Sequence, residues 1–228
     1  FAEADIDKYI PITNAFHKYD TYRREWELNM EYNFFATVAR MKYIERWALM
    51  RNTYPETLSE HSLEVSMLAH ALCVIGNVRY GKHLDADKAA VIGLYHDASE
   101  IITGDMPTPI KYYNNRMKDL FHSIEDEACE KLIGQLPEDL QAYYRDYFFR
   151  QENDTEETKY LWKLVKAADK LSALIKCMEE EKTGNREFVK AKESTEQMVQ
   201  ELSDSYPEVK DFVQEFLPAY AKTLDELN

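Results

Sequence analysis

The stretch "TEETKYLWKLVKAADKLSALIKCMEEEK", residues 155–182, is the longest patterned segment of the chain, and the fold is read from it. Leu161, Leu164, Val165, Ala168, Leu171 and Ile175 recur at spacings of three and four, which predicts one long helix with a single apolar stripe. Asp169 stands four residues after Val165, inside that stripe. A carboxylate among buried aliphatic side chains is costly unless a metal, a lysine or an arginine faces it. Lys166 and Lys170 are the neighbouring candidates for a plain ion pair.

Working outward, Phe34, Phe35, Val38, Met41 and Ile44 predict a first helix over about 32–47, and Pro55 breaks the chain after it. Ser59 is the expected N-cap of a helix over about 60–76, with Val65, Leu68, Ala69 and Leu72 on its apolar face. Asp85 or Asp87 caps a third helix, about 86–103, expected to bury Ala90, Val91 and Leu94 and to stop at Gly104. Further helical stretches are read at about 115–135, 137–149, 186–203 and 207–226. With only 6 Gly and 7 Pro in 228 residues, tight β turns are disfavoured, and the expected class is all-α. Residues 33–228 are expected to form a single helical bundle. Residues 1–32 mix aromatic and charged residues with weak periodicity and are expected to be an N-terminal extension packed on the main body.

The formal charge of -14, without any long basic run, excludes a nucleic-acid polymer as partner, because backbone binding needs a positive footprint. A small anionic substrate stays compatible, since a metal and one arginine can reverse the local sign. No apolar run approaches a membrane span, so no membrane partner is expected. Cys73, Cys129 and Cys177 lie far apart with no pairing logic and read as reduced, buried thiols of a cytoplasmic protein. The chain opens on Phe1, which leaves open a trimmed start or a removed targeting segment. The acidic runs "EDEACE" (125–130) and "EEEK" (179–182) are expected to be solvated helix faces, and the tyrosine pairs at 112–113 and 143–144 to serve packing or subunit contact.

Three further residues join Asp169. His61 stands four before Val65 and points to the apolar face of its helix, whereas His70, nine positions on, faces the other way. His96 and Asp97 are adjacent on the next helix. Each has a bland reading alone: a hydrogen-bonded core histidine, or an ordinary ion pair. Together, two histidines and two aspartates form a nitrogen and oxygen donor set suited to one divalent transition ion, with room for water. Glu100, one turn after His96 and Asp97, shares their face and can reach a water or a leaving oxygen without being a ligand; its alternative is to orient His61 or His96.

The order H…HD…D over His61, His96, Asp97 and Asp169 resembles the HD-domain superfamily of metal-dependent phosphohydrolases. "RWALMRN" (46–52), "SEHSLEV" (59–65), "YHDASEIITGDMPTPIKY" (95–112) and "KAADKLSALIKCMEE" (166–180) resemble its bacterial YfbR-like 5′-deoxynucleotidase branch. The likeness runs from about Phe34 to about Leu224, and residues 1–32 have no counterpart in it. It implies an HD-type helical domain and hydrolysis of deoxynucleoside 5′-monophosphates with one divalent ion such as Co²⁺, Mn²⁺ or Cu²⁺. It implies the four residues above as ligands, Glu100 as acid/base catalyst, Arg46 on the phosphate, Trp47 as a wall at the sugar and Asp105 on the sugar side. Lys111 adds positive charge nearby. From the residues alone, Arg46 could be a surface ion pair, Trp47 a core residue and Asp105 a turn residue after Gly104. The branch also implies a homodimer. The competing readings are another HD-type activity, such as a triphosphohydrolase or phosphodiesterase, and a non-catalytic HD scaffold. The lack of a basic cluster for a triphosphate tail, and the filling of every expected position, favour the monophosphatase.

Overall fold

The computed structural model describes residues 32–111, 113–151 and 153–227, so the expected extension over 1–32 lies almost wholly outside the described residues. The elements run α1 (Phe34–Val38), a 3-10 turn (Ala39–Tyr43), β1 (Glu45–Arg46), β2 (Glu56–Thr57), α2 (Leu58–Tyr80), α3 (Ala86–Tyr95), α4 (Glu100–Thr103), α5 (Thr108–Lys111), α6 (Asn115–Ile133), α7 (Glu138–Phe148) and α8 (Glu156–Lys182). A 3-10 turn (Arg186–Phe188), α9 (Val189–Ser205), α10 (Pro207–Glu215) and two closing 3-10 turns complete the chain. The class is all-α, with one two-stranded antiparallel ribbon pairing Glu45 with Thr57 and Arg46 with Glu56.

Helix α8 is the centre. Thr155 caps it by accepting the Thr158 amide, and Glu156 and Glu157 sit in its first turn, where the helix dipole favours negative charge. All six stripe residues, Leu161 through Ile175, are buried against α2, α3 and α9. Helix α2 begins two residues before its expected start. Its cap is Thr57, not Ser59, through a reciprocal capping box with Glu60. It also runs through Gly76 and ends at Gly81, whose φ of +63° closes the helix in the left-handed conformation.

Two departures shape the site. The expected first helix stops at Val38, because Ile44 O accepts the Leu58 amide and β1 pairs with β2; Arg46 and Trp47 therefore sit on a ribbon and its turn. The expected helix over 86–103 breaks after Tyr95. The His96 ring (Nδ1, 2.8 Å) takes the Gly93 carbonyl, which a continuing helix would offer to the Asp97 amide. Residues 96–99 form a turn that faces inward before α4 begins. In α3 the buried side is Ala89, Ile92 and Gly93, whereas Val91 is half-buried and Leu94 exposed, so the expected face was one position out. Gly93 permits this close crossing, since a Cβ there would stand 2.8 Å from Ser66 Cα on α2.

At the other end of the bundle the expected helix over 207–226 stops at Glu215, and Pro218 sits within the 3-10 turn that follows. A second apolar cluster of Phe34, Met41, Leu58, Ala98, Leu132 and Leu136 backs the 96–99 turn. Tyr144 belongs to its border, with its ring 5.1 Å from that of Phe34, so this tyrosine serves packing. Phe35, expected in the first apolar stripe, is exposed. Cys73 and Cys177 are buried and Cys129 half-buried, all three as free thiols.

Candidate active site

Three elements deliver the four proposed ligands. His61 comes from the first turn of α2, His96 and Asp97 from the turn after α3, and Asp169 from the middle of α8. One donor atom from each lies within 4.8 Å of the others. His61 Nε2 is 3.3 Å from Asp169 Oδ1 and 3.5 Å from Asp97 Oδ2, and His96 Nε2 is 3.0 Å from Asp97 Oδ2. Two donors about 2.1 Å from a common ion stand roughly 3.0–3.4 Å apart when adjacent, so these spacings fit one ion.

Hydrogen bonds on the far side of each ring decide where the lone pairs point. His96 Nδ1 can only donate to the Gly93 carbonyl, which leaves Nε2 as an acceptor when the ring is neutral. His61 Nδ1 meets Ser172 Oγ at 2.9 Å, and that hydroxyl gives its proton to Glu64 Oε2 at 2.6 Å. Ser172 must then accept from His61, so the His61 Nε2 lone pair also faces the cluster. Both Nε2 atoms are buried without a hydrogen-bond partner. Two inward lone pairs beside two carboxylates are a site that asks for a cation, and the donor set fits a divalent metal.

The electrostatics agree. Burial works against a charged His96, yet Asp97 outweighs it and raises its pKa. Burial likewise opposes ionisation of Asp97 and Asp169, but His96 and His61 for the first, and Lys170 and His61 for the second, hold both far below the ordinary carboxylate range. Asp169 does pair with Lys170, at 2.9 Å, and faces His61 as well; it is half-buried. Glu100 is the opposite case. Buried and close to the charges of Asp97 and Asp105, its carboxyl is pushed up to about 9, and its Oε2 has no hydrogen-bond partner. A carboxyl kept protonated near neutral pH is equipped to give a proton.

Arg46 Nη1 donates to Glu56 Oε2 at 2.6 Å, and Trp47 Nε1 donates to the same oxygen at 3.2 Å. Burial works against the Arg46 cation, but Glu56, Asp97, Asp169 and Asp105 together hold its pKa above the ordinary arginine value. The guanidinium is therefore an interior cation facing the cluster, not a surface pair. Trp47 is half-buried, with its ring centroid 5.4 Å from that of Phe188. Among the described residues it alone outside glycine has a positive φ, +58°. A bulky residue there is strained and has to be held. Asp105 Oδ2 accepts its amide at 3.2 Å, and Asn52 Nδ2 donates to its carbonyl at 3.2 Å. Asp105 therefore fastens the tryptophan turn to the loop beyond Gly104. Lys111 is paired with Glu125 at 2.5 Å, and its charge also reaches Glu100.

Sequence reasoning missed Glu56, Ser172, Glu64 and Glu180. Glu180, expected on a solvated face, is fully buried. Its carboxylate accepts the amides of Thr53 (2.9 Å) and Tyr54 (3.2 Å), Asn185 Nδ2 (2.7 Å) and Lys176 Nζ (2.5 Å), while Lys176 also donates to the Tyr54 carbonyl. This buried pair ties the segment after the tryptophan turn to α8. Burial alone would raise the Glu180 pKa, but Lys176, Asn185 and the two amides hold it at about 2, against 4.5 in a free chain. Its contribution to stability is complete above pH 4.5 and is lost as the pH falls from 4.5 to about 2. The urea-unfolding midpoint should therefore fall more steeply across that window in the wild type than in Glu180→Gln. Parallel profiles would assign the acid sensitivity elsewhere.

The family model for YfbR-like 5′-deoxynucleotidases matches residues 33–220. A 5′-deoxynucleotidase of Vibrio vulnificus is 42% identical over 198 residues, spanning 87% of this chain and 99% of that protein. One from Yersinia pestis is 43% identical over 196 residues, spanning 86% and 96%. Among solved structures, an HD-domain phosphohydrolase of Listeria innocua superposes with a TM-score of 0.70 at 23% identity, covering 82% of this chain and 88% of that one. The cyanophage S-2L HD phosphohydrolase, solved with dA and one catalytic Zn²⁺ ion, gives a TM-score of 0.55 at 24% identity over 82% and 96%. At these identities the two structures establish the shared fold.

Proposed function

The chain belongs to the YfbR-like 5′-deoxynucleotidase family, and we propose that it hydrolyses deoxynucleoside 5′-monophosphates to deoxynucleoside and phosphate at the His61, His96, Asp97 and Asp169 cluster. The convergence of two buried, unpartnered imidazole nitrogens on two carboxylates carries this reading. His61, His96, Asp97 and Asp169 would hold a divalent ion such as Co²⁺, Mn²⁺ or Cu²⁺, which would supply Lewis acidity toward the phosphate and a lowered pKa for water.

The residues of the chain do the rest. Arg46, steadied by Glu56, offers its remaining guanidinium donors to the phosphate. Glu100 gives its proton to O5′ as the P–O5′ bond breaks. It recovers one from the water whose oxygen has bonded to phosphorus, which balances the step. Trp47, held in its strained turn by Asp105, walls the sugar at C2′ and leaves no room for a ribose hydroxyl. Lys111 adds positive charge on the Glu100 side. The start of the family match supports 33–228 as the catalytic body and 1–32 as an extension.

Among the described residues no helix is long and apolar enough to cross a membrane. The three free cysteines suit a cytoplasmic enzyme. The exposed Leu63, Met67, Val74 and Val78 of α2 offer apolar surface for a homodimer. The test of function is phosphate release from paired dNMP and NMP substrates by protein stripped and reloaded with Co²⁺ or Mn²⁺. Deoxy substrates should be favoured by about 10²-fold. Equal rates would remove the sugar wall, and pyrophosphate released from nucleoside triphosphates in place of phosphate from monophosphates would remove the monoesterase reading.

A further inference from the structure

His61 and Glu64 stand three residues apart on α2, and Asp169 and Ser172 three apart on α8. Each pair shares a face of its helix, so one crossing brings both a ligand and its support to the same place. The contacts form a chain in one direction: His61 Nδ1 to Ser172 Oγ at 2.9 Å, then Ser172 Oγ to Glu64 Oε2 at 2.6 Å. His61 and Ser172 are both fully buried, so water cannot substitute for either partner without opening the core. A serine hydroxyl carries one proton, and as a carboxylate Glu64 can only accept it. The hydroxyl must then offer a lone pair to His61.

From this we infer that Glu64 and Ser172 are positioning residues, which hold His61 as the Nδ1–H tautomer and so aim its Nε2 lone pair at the metal. The inference rests on the reading of the four-residue cluster as a metal centre. Glu64 is the determinant, although it touches neither metal nor substrate. Without it the Ser172 hydroxyl is free to turn and donate to His61 Nδ1, which drives the ring proton to Nε2 and blocks the ligand position.

The test has two independent readouts. Metal-free protein labelled with ¹⁵N at histidine is recorded at pH 8, above the ordinary imidazole range, by long-range ¹H–¹⁵N correlation. Wild-type His61 should show a protonated Nδ1 and a bare Nε2. Glu64→Ala should move the proton to Nε2, whereas Glu64→Gln, whose amide oxygen can still accept from Ser172, should keep the wild-type pattern. Co²⁺ titration against a chromophoric chelator should then show Kd raised about 10–100-fold in Glu64→Ala and near the wild-type value in Glu64→Gln. A proton on Nε2 in the wild type overturns the proposal, as does a Glu64→Ala protein with unchanged tautomer or unchanged Co²⁺ affinity. If Glu64→Ala fails to fold, Ser172→Ala is read the same way, since it should lose the single-tautomer pattern. Wild-type protein that binds no Co²⁺ would bring down the metal centre, and the tautomer pattern alone then decides the role of Glu64 and Ser172.

Discussion

Replacing Glu100 by glutamine should lower kcat by about 10²–10⁴-fold, the usual worth of a positioned general acid/base, while Co²⁺ affinity stays near that of the wild type. The side chain is not among the four converging donors, so the metal does not depend on it. It is buried beside Asp97, and the Glu100 amide bonds Asp97 O at 2.9 Å, so the carboxyl is carried by the same turn that presents His96 and Asp97. Glutamine keeps the volume and removes the proton. The same substitution should also show in stability. With its folded pKa raised from 4.5 to about 9, Glu100 costs the metal-free protein nothing below pH 4.5, and stability is lost as the pH climbs from there to about 9. Metal-free Glu100→Gln should therefore outlast the wild type at pH 9 and match it at pH 4.5 in urea titrations. A variant that keeps turnover within tenfold of the wild type would move the acid/base role to another group.

Asp97→Ala should abolish both metal binding and activity. Its Oδ2 faces both imidazoles, at 3.0 Å from His96 Nε2 and 3.5 Å from His61 Nε2. Losing it removes a ligand and the charge that favours a cation between the rings. Co²⁺ at 100 times its Kd should stabilise the wild type by about 2.7 kcal/mol, a rise of roughly 5–10 °C in Tm for a domain of this size. Asp97→Ala should show no such rise at the same Co²⁺ concentration. The protein itself should still fold, because the residue is half-buried and lies outside both apolar clusters. A full Tm rise in the variant would take Asp97 out of the ligand set.

The inward direction of His61 and the position of Asp169 inside an apolar stripe were legible from spacing alone, because a helix repeats every 3.6 residues whatever packs on it. The same rule misplaced the buried face of α3 by one residue. The rest was hidden for a common reason. Glu56 anchors Arg46 and Trp47 only once β1 pairs with β2, and the tendency of residues 39–46 to continue as helix gave no sign of that pairing. Glu180 sits in a run of glutamates that looks solvated. It is buried because the segment at Thr53 and Tyr54, more than a hundred residues earlier, brings it two amides to satisfy.

By itself the sequence determined the all-α class, the principal helices and the inward polar residues His61 and Asp169, since periodicity, caps and breakers act within a few residues. Only the tertiary structure decided that His61, His96, Asp97 and Asp169 share one small volume, that Trp47 is held in a left-handed turn by Asp105, and that a Ser172–Glu64 chain sets the proton of His61. The cluster and the Ser172–Glu64 chain depend on how α2, α3 and α8 cross, with Gly93 letting the backbones of α3 and α2 approach, and the Trp47 contact depends on the ribbon turn meeting the loop beyond Gly104. Contacts between residues so far apart in the chain leave no period in the sequence to read.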